Sequence, residues 1–576
     1  MKRIKYFIIP LLITLFSCND GFLEKQPLDK LSEDAVFNNE NLLTSYVNGL
    51  YSVMYQPYTE GTVAAITDEA FFRYGGTSTN YIARGQMTPD NVIYMVEGGP
   101  AHNSRMLYLN IWKRAYQYIR DMNVFFENID DAQVSIAVKK QLTGEVYFLR
   151  AWAYANLIWR YAGVPIITNT YDIYDDFNAT RDNYDDCVDF ILADIDSALV
   201  YLPDKAFDKG RACADACLAL KSRLLLYAAS PLFNDPDDPQ GSIFKGTYDK
   251  NKWVAAKNAA KAVIDRADAG AYALCPDYTQ IWSDANNKEL IWGIFFNEFS
   301  GLSAQSYYAP EYNFLGWTAC TPYENIVCDY EMKATGKKPF EPGSGYDPAN
   351  PWSGRDPRFY KTIIYPNSVF RGDTIKMCKS YDMRRVPNDP YYSEATQCTG
   401  YWLKKWHIED KIISETENST ILYPWFRLAE FYLNYAEACL NLNDEAECRN
   451  YINKVRDRAD VMMPHVTETG DALREKLINE RRIELAFEKH RYFDLRRWKL
   501  AEIYENISGR GITLIKQKNG TIVYQIAKAG ADGKPDYSDC RMTAVEKKFF
   551  PQHYLMPIPS NEMLKSEGSL IQNPYY

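Results

Sequence analysis

The chain has 576 residues, 75 acidic against 65 basic, for a net charge of −10 at pH 7 and a pI near 5.3. Nucleic-acid binding, which needs clustered Lys and Arg, is excluded by that balance, and an acidic surface suits an outward-facing protein. Twelve cysteines without a CxxC pair argue against a zinc site, and no Gly/Ser- or Pro-rich spacer divides the chain into separate domains.

Lys2, Arg3 and Lys5 precede an apolar run from Phe7 to Phe16, closed by Ser17 and Cys18. A charged start, a short apolar core and a small residue before a cysteine make 1–17 a lipoprotein signal, with Cys18 acylated and serving as the anchor of the mature chain, 18–576. No later run reaches the length of a membrane span. Helices are expected over 39–51 and 106–128, the latter with Leu109, Trp112, Tyr116, Ile119, Asn123 and Phe126 at helical spacing. A third begins near Gly144 on the stripe Val146, Leu149, Ala153 and Leu157 and stops at Gly163 and Pro165. Further helices are expected over 185–202, 212–230 and 252–267, in pairs of roughly tetratricopeptide length with irregular insertions. Cys213 and Cys217 belong to the Ala-rich segment and read as buried thiols; one or two disulfides elsewhere stay open.

Between about 272 and 423 the pattern changes. ELIWGIFF at 289–296 is strand-like, and the residues after it are rich in Gly, Pro, Asn, Asp and aromatics. A long irregular excursion inside a compact body carries function more often than not. Residues 297–323 hold Phe299, Tyr307, Tyr308, Tyr312, Phe314, Trp317 and Tyr323, seven aromatics where the 15% average gives about four. Their spacing fits neither a helix face nor a strand, so rings are available to stack on a ligand. Trp317, beside Gly316, is the foremost candidate, with Tyr307, Tyr308 and Tyr312. The Asp-rich NDPDDPQ at Asn234 lacks the order of a calcium loop and reads as a solvated turn.

The segment 425–498 returns to strong helical periodicity. WFRLAEFYLNYAEACLNLND and EAECRNYINKVRDRA form a hairpin joined at Asn443 and Asp444, and LREKLINERRIELAFEKHRYFDLRRW crowds Glu480, Glu484, Glu488, Arg491, Asp494, Arg496 and Arg497 together. Alternating signs at three- and four-residue spacing read as structural ion pairs before they read as an acid/base site. The chain has no GxSxG, P-loop, GxGxxG or HExxH motif, and its five histidines are far apart. Nothing in the sequence points to catalysis, a cofactor or a bound metal; a glycosidase stays formally open because two carboxylates at the right separation leave no sequence signature.

RLAEFYLNYAEA, INKVRDRA and NERRIELAFEKHRYFDLRRW, in that order, closely resemble the C-terminal signature of the SusD/RagB family of Bacteroidetes surface lipoproteins. GEVYFLRAWAYANLIWRYAGVPI, the Tyr330-Glu331-Met332 and DPRF segments, and the PIP and QNP endings are also similar to that family, as is the acidic start Asn19, Asp20 and Glu24. The resemblance implies a mainly α fold: a tetratricopeptide-like helix-pair scaffold at about 39–270 and 423–500, with a loop-rich, partly β ligand region at about 272–423. It implies a lipid-anchored, surface-exposed protein of the outer membrane that binds a glycan or other nutrient and delivers it to a SusC-like TonB-dependent transporter. It also implies ligand contacts ahead of the helix at Met106, where Asp68, Arg73, Tyr94, His102 and Asn103 lie; Asp68 and Arg73 read equally as a surface ion pair. A peptide-binding member of the same family and a pure scaffold are the other readings.

Overall fold

The structure is a computed structural model that describes residues 33–54, 63–72, 78–92, 109–172, 179–206, 208–295, 320–375, 378–380, 399–407, 422–506, 508–543 and 545–576. The signal segment and Cys18 lie outside the described residues, as do Arg73, Tyr94, His102, Asn103 and the aromatics from Phe299 to Trp317.

Helix α1 (Glu40–Leu50) starts where the Asn39 side chain accepts the Asn41 and Leu42 amides, satisfying two donors that a helix N-terminus leaves open. α2 (Trp112–Asn128) follows; it is shorter than the expected 106–128, with Ile111 at its N-cap and Met106 to Tyr108 outside the described residues. α3 (Ile136–Tyr161) begins two turns before the expected Gly144. Its first residues, IAVKKQL, are mostly polar or exposed and therefore carry no apolar stripe. From Gly144 on, nearly every side chain of α3 is buried, the mark of a helix at the centre of a core. It ends at Ala162, whose φ is 63°, and at Gly163, where a Cβ would sit 2.2 Å from Asp182 O. No other residue type fits there.

α4 (Tyr184–Tyr201), α5 (Ala214–Ala229) and α6 (Asn251–Asp268) then pack in succession, each against the one before it. α7 (Leu428–Asn441) closes on α6 and pairs with α8 (Glu445–Arg456). The hairpin turns at Asn443, in the left-handed region with φ 63°, and Asp444 caps α8 by accepting the Glu447 amide. α9 (Gly470–Glu484) covers both. The small residues Ala429, Ala436 and Ala438 are wholly buried, as close helix approach requires. The array is a run of antiparallel helix pairs, as the periodicity predicts.

Two features of 425–498 differ from the expectation. Trp425 to Arg427 end a strand, and the helix starts only at Leu428. The third segment is not one helix: it breaks after α9, passes Phe487 and Lys489 at positive φ (61° and 71°), and resumes as α10 (His490–Arg497). The break lies where Glu484 and Glu488 turn inward to meet Arg427 from the preceding strand.

Strands supply the joints. β1 (Ala70–Phe72) pairs antiparallel with β3 (Cys320–Pro322), Phe72 opposite Cys320. β2 (Leu290–Phe295) pairs antiparallel with β4 (Leu422–Arg427), Phe295 opposite Leu422. Residues 508–543 add short strands, of which Thr513–Lys516 pairs with Ile522–Gln525 on one side and with Cys378–Ser380 on the other. One apolar core runs from Phe37 to Leu570 and is joined by a smaller one among α6, α7, α8 and α9. The nine cysteines whose side chains are described are buried.

Candidate functional site

The charged residues of the C-terminal signature are internal, and their partners are distant in sequence. Arg427, at the end of β4, donates to Glu488 at 2.8 and 2.7 Å, to Glu289 at 2.8 Å and to the Glu484 carboxylate at 2.7 Å. Arg458 joins Glu289 at 2.6 Å and Glu484 at 2.7 Å. Arg358 of the DPRF segment reaches Asp356, Glu480 and Glu484 at 2.8, 2.6 and 2.9 Å. Arg456 ties Glu480 to Glu331, which also takes Lys476, and Lys405 takes Glu488. Six cations (Arg358, Lys405, Arg427, Arg456, Arg458, Lys476) thus face six buried carboxylates (Glu289, Glu331, Asp356, Glu480, Glu484, Glu488) in one connected network whose buried charges balance, with the partly exposed Glu468 joining it at Lys476. Burial would raise the Glu484 carboxyl, but Arg458, Arg427 and Arg358 outweigh it and hold it far below the usual range. Arg497 and Asp494 form the expected i,i+3 pair at 2.9 Å, whereas Glu480, Glu484 and Glu488 take partners distant in sequence. The network pins the irregular 320–375 segment to α8 and α9.

Asp68 belongs to a second network of this kind. It is buried and accepts from Arg491 at 2.9 and 2.8 Å and from Arg482. Burial opposes its charge, and the two arginines overcome that and hold its carboxyl low. Its described partners are therefore α9 and α10, and it serves as a strut rather than half of a surface pair. Next to it, Glu69 accepts the Phe487 amide at 3.0 Å; burial pushes its carboxyl up to about 7. Lys547 donates to the carbonyls of Thr67 and Ala70, and burial brings its ammonium down to about 8. These contacts immobilise the residues that lead into β1, immediately before Arg73.

The pairing of strands gathers the stems of the predicted ligand stretches. The chain leaves β2 at Phe295, carries Tyr307, Tyr308, Tyr312 and Trp317, and re-enters at Cys320 opposite Phe72, from which Arg73 follows. Tyr323, the last aromatic of the enriched stretch, is a core residue with 1% of its surface exposed.

A small cavity of about 30 Å³ is lined by α3, α5, β4 and α10. Val63 and Leu109, the first residues after 55–62 and 93–108, form part of its lining, together with Pro424 and Trp425 of β4. Trp152, Trp159, Tyr227 and Phe493 give it aromatic walls; Trp152 meets Trp425 edge-on at 5.1 Å and Trp159 meets Tyr227 at 5.1 Å. The indole N–H groups of Trp152 and Trp159 are buried and have no hydrogen-bond partner among the described residues; a buried donor left unmet costs about 1–3 kcal/mol. His490, at the same cavity, is kept neutral by burial and by Arg223 and Arg481 beside it. The space is about that of one water molecule, a partner that suits the two indole donors. Sequence reasoning misses Trp152 and Trp159, although their spacing of seven places both on one face of α3.

The family motifs quoted for the chain ends are structural as well. Arg181 donates to the Asn573 side chain at 3.0 Å, Asn573 to Met556 O at 2.6 Å, and Gln572 exchanges two hydrogen bonds of 2.8 Å with Ile558. Among the described residues no group of His, Cys, Asp and Glu is arranged to hold a metal.

Comparison with known proteins agrees over the whole length. The SusD family model matches residues 288–576, and a family model described as starch-binding associating with outer membrane matches 21–226. A SusD-like protein, P2, of Formosa agariphila is 24% identical over 600 residues, covering 100% of both chains. A SusD-like protein of Bacteroides fragilis superposes with a TM-score of 0.72 at 26% identity, over 96% of this chain and 100% of that one. A second B. fragilis structure, a SusD-like carbohydrate binding protein, superposes with a TM-score of 0.70 at 24% identity, over 93% and 99%.

Proposed function

Because the chain belongs to the SusD family, we propose that it binds a glycan at the outer membrane and passes it, unaltered, to a SusC-like TonB-dependent transporter. The main support for this reading is the match of 21–226 to the family model described as starch-binding associating with outer membrane, together with the aromatic enrichment of 297–323. Trp317, Tyr307, Tyr308 and Tyr312 supply stacking faces from one side, and Arg73, Tyr94 and Asn103 supply polar contacts from the other. Asp68 acts one step back, by fixing the stem before Arg73. Cys18 carries the acyl anchor and holds the protein at the cell surface.

Glycan rather than peptide is favoured by the starch-binding description of the family model matched at 21–226. The buried carboxylates of the C-terminal signature are each locked to arginine or lysine, so they serve the scaffold and not proton transfer. Binding without bond cleavage follows from this reading. A glycan array probed with the purified chain, beside a peptide panel, tests it: retention of one glycan class with no release of reducing ends over hours is expected. Retention of peptides alone, or steady release of reducing ends, would overturn it.

A further inference from the structure

A second cavity, of about 330 Å³, lies between α2, the segment leaving α3 and the C-terminal residues. Its wall is apolar, built on Ile119, Pro165, Ile167 and Leu570, with Trp112 and Tyr116 on the α2 side. The two aromatics are fixed: Tyr116 donates its hydroxyl to Pro165 O at 2.9 Å, and Trp112 meets Tyr161 edge-on at 5.1 Å. None of the predicted ligand residues lines this groove.

Its ionic groups are Lys113, Arg120, Lys565 and Glu562. Glu562 is taken by Lys565 at 3.0 Å, and among the described residues Lys113 and Arg120 form no salt bridge; Asp121 acts on Arg120 only through space. Both cations are exposed and stand seven residues apart on α2, so their heads lie on one stripe about 10 Å apart along the helix axis. On a chain of net charge −10, two exposed cations with no salt bridge among the described residues, set beside an apolar wall, oppose the average surface and match an anionic guest. A single fatty acid offers one carboxylate; two cations at this interval match a polymer that repeats its charge.

We infer that this groove is a subsite for acidic sugar units, a uronate-bearing oligosaccharide whose C–H faces lie on the apolar wall and whose carboxylates meet Lys113 and Arg120. The inference rests on the glycan reading and narrows its ligand class.

The test is calorimetry on the full chain with tetragalacturonate, maltotetraose and decanoate, repeated with the double variant Lys113→Gln, Arg120→Gln. Both positions are solvent-exposed on α2, so the variant retains the fold, checked by its melting temperature. The expected result is tetragalacturonate binding that weakens with added salt and falls by about tenfold or more in the double variant, with any maltotetraose binding unchanged. Tetragalacturonate binding that the double variant leaves intact, or binding of decanoate alone, overturns the subsite. Neutral glycans that bind and are lost in Trp317→Ala, with no tetragalacturonate binding, overturn the subsite and leave the glycan reading standing. Binding of no sugar at all overturns both.

Discussion

Replacing Arg427 with methionine keeps most of the side-chain volume and removes one guanidinium from the balanced network. The wild-type group makes two bonds to Glu488, one each to the carboxylates of Glu289 and Glu484, and a fifth to Glu484 O at 2.7 Å. After the change Glu289 keeps Arg458, Glu484 keeps Arg458 and Arg358, and Glu488 keeps Lys405. Five cations then face six carboxylates, all but wholly buried, and one negative charge is left over. Removing one partner of a buried ion pair costs about 3–5 kcal/mol, and the expected loss falls in that range. Urea unfolding at pH 7, followed by far-ultraviolet circular dichroism, measures it. Arg427→Lys, which keeps the charge but not the fork, is expected to lose about half as much. The deficit of the methionine variant shrinks as the pH is lowered toward 4, because the spare carboxylate takes up a proton. A loss below about 1 kcal/mol at pH 7, the value of an exposed pair, would refute the claim that these charges form the internal frame.

Three other measurements probe the same interior. Asp68→Asn leaves Arg491 and part of Arg482 uncompensated, so it is expected to lower stability by about 3 kcal/mol or more while the glycan affinity of the folded protein stays close to that of the parent; lost affinity at unchanged stability would make Asp68 a ligand residue instead. Glu69 has a folded value of about 7, above its unfolded one, so its charge destabilises the fold as pH rises from about 4.5 through 7. Glu69→Gln should match the parent at pH 4.5 and exceed it by about 2–4 kcal/mol at pH 8; an equal difference at both pH values would contradict this. Nine thiols are buried, and burial pushes Cys187 and Cys448 up to about 12, so a thiol reagent at pH 8, with labelled positions mapped by mass spectrometry, should reach these nine only after denaturation; rapid labelling of them in native protein would place them at the surface.

Helix positions are legible where a helix buries one face against its neighbours and so writes a 3.6-residue stripe into the sequence, as α4 and α6 do, or where, as in the Ala-rich α5, it is buried nearly all round. α4, α5 and α6 fall within two residues of the expected limits for this reason. The stripe fails where both faces are alike: the polar start of α3 carries none, and β4 passes without a break into α7 because WFR suits either state. Charge gives its character but not its partners. Glu484 and Arg481 suggest a helical neighbour pair, yet Glu484 meets Arg427, Arg458 and Arg358, and Arg481 meets Asp494. Proximity in the fold, which spacing along one helix does not encode, decides that. The same limit applies to the aromatic cavity: Trp152 and Trp159 share a face in the sequence, but that they meet Trp425 and Tyr227 depends on how α3 packs on β4 and α5.

The most decisive measurement is the affinity of the purified chain and of Trp317→Ala for the glycan class found on the array, with reducing ends assayed in the same samples. If ring stacking holds an uncleaved sugar, the parent binds, the variant loses at least about tenfold in affinity, and neither produces new reducing ends. Equal affinity in both proteins, or sugar consumed as it binds, would contradict that mode of action.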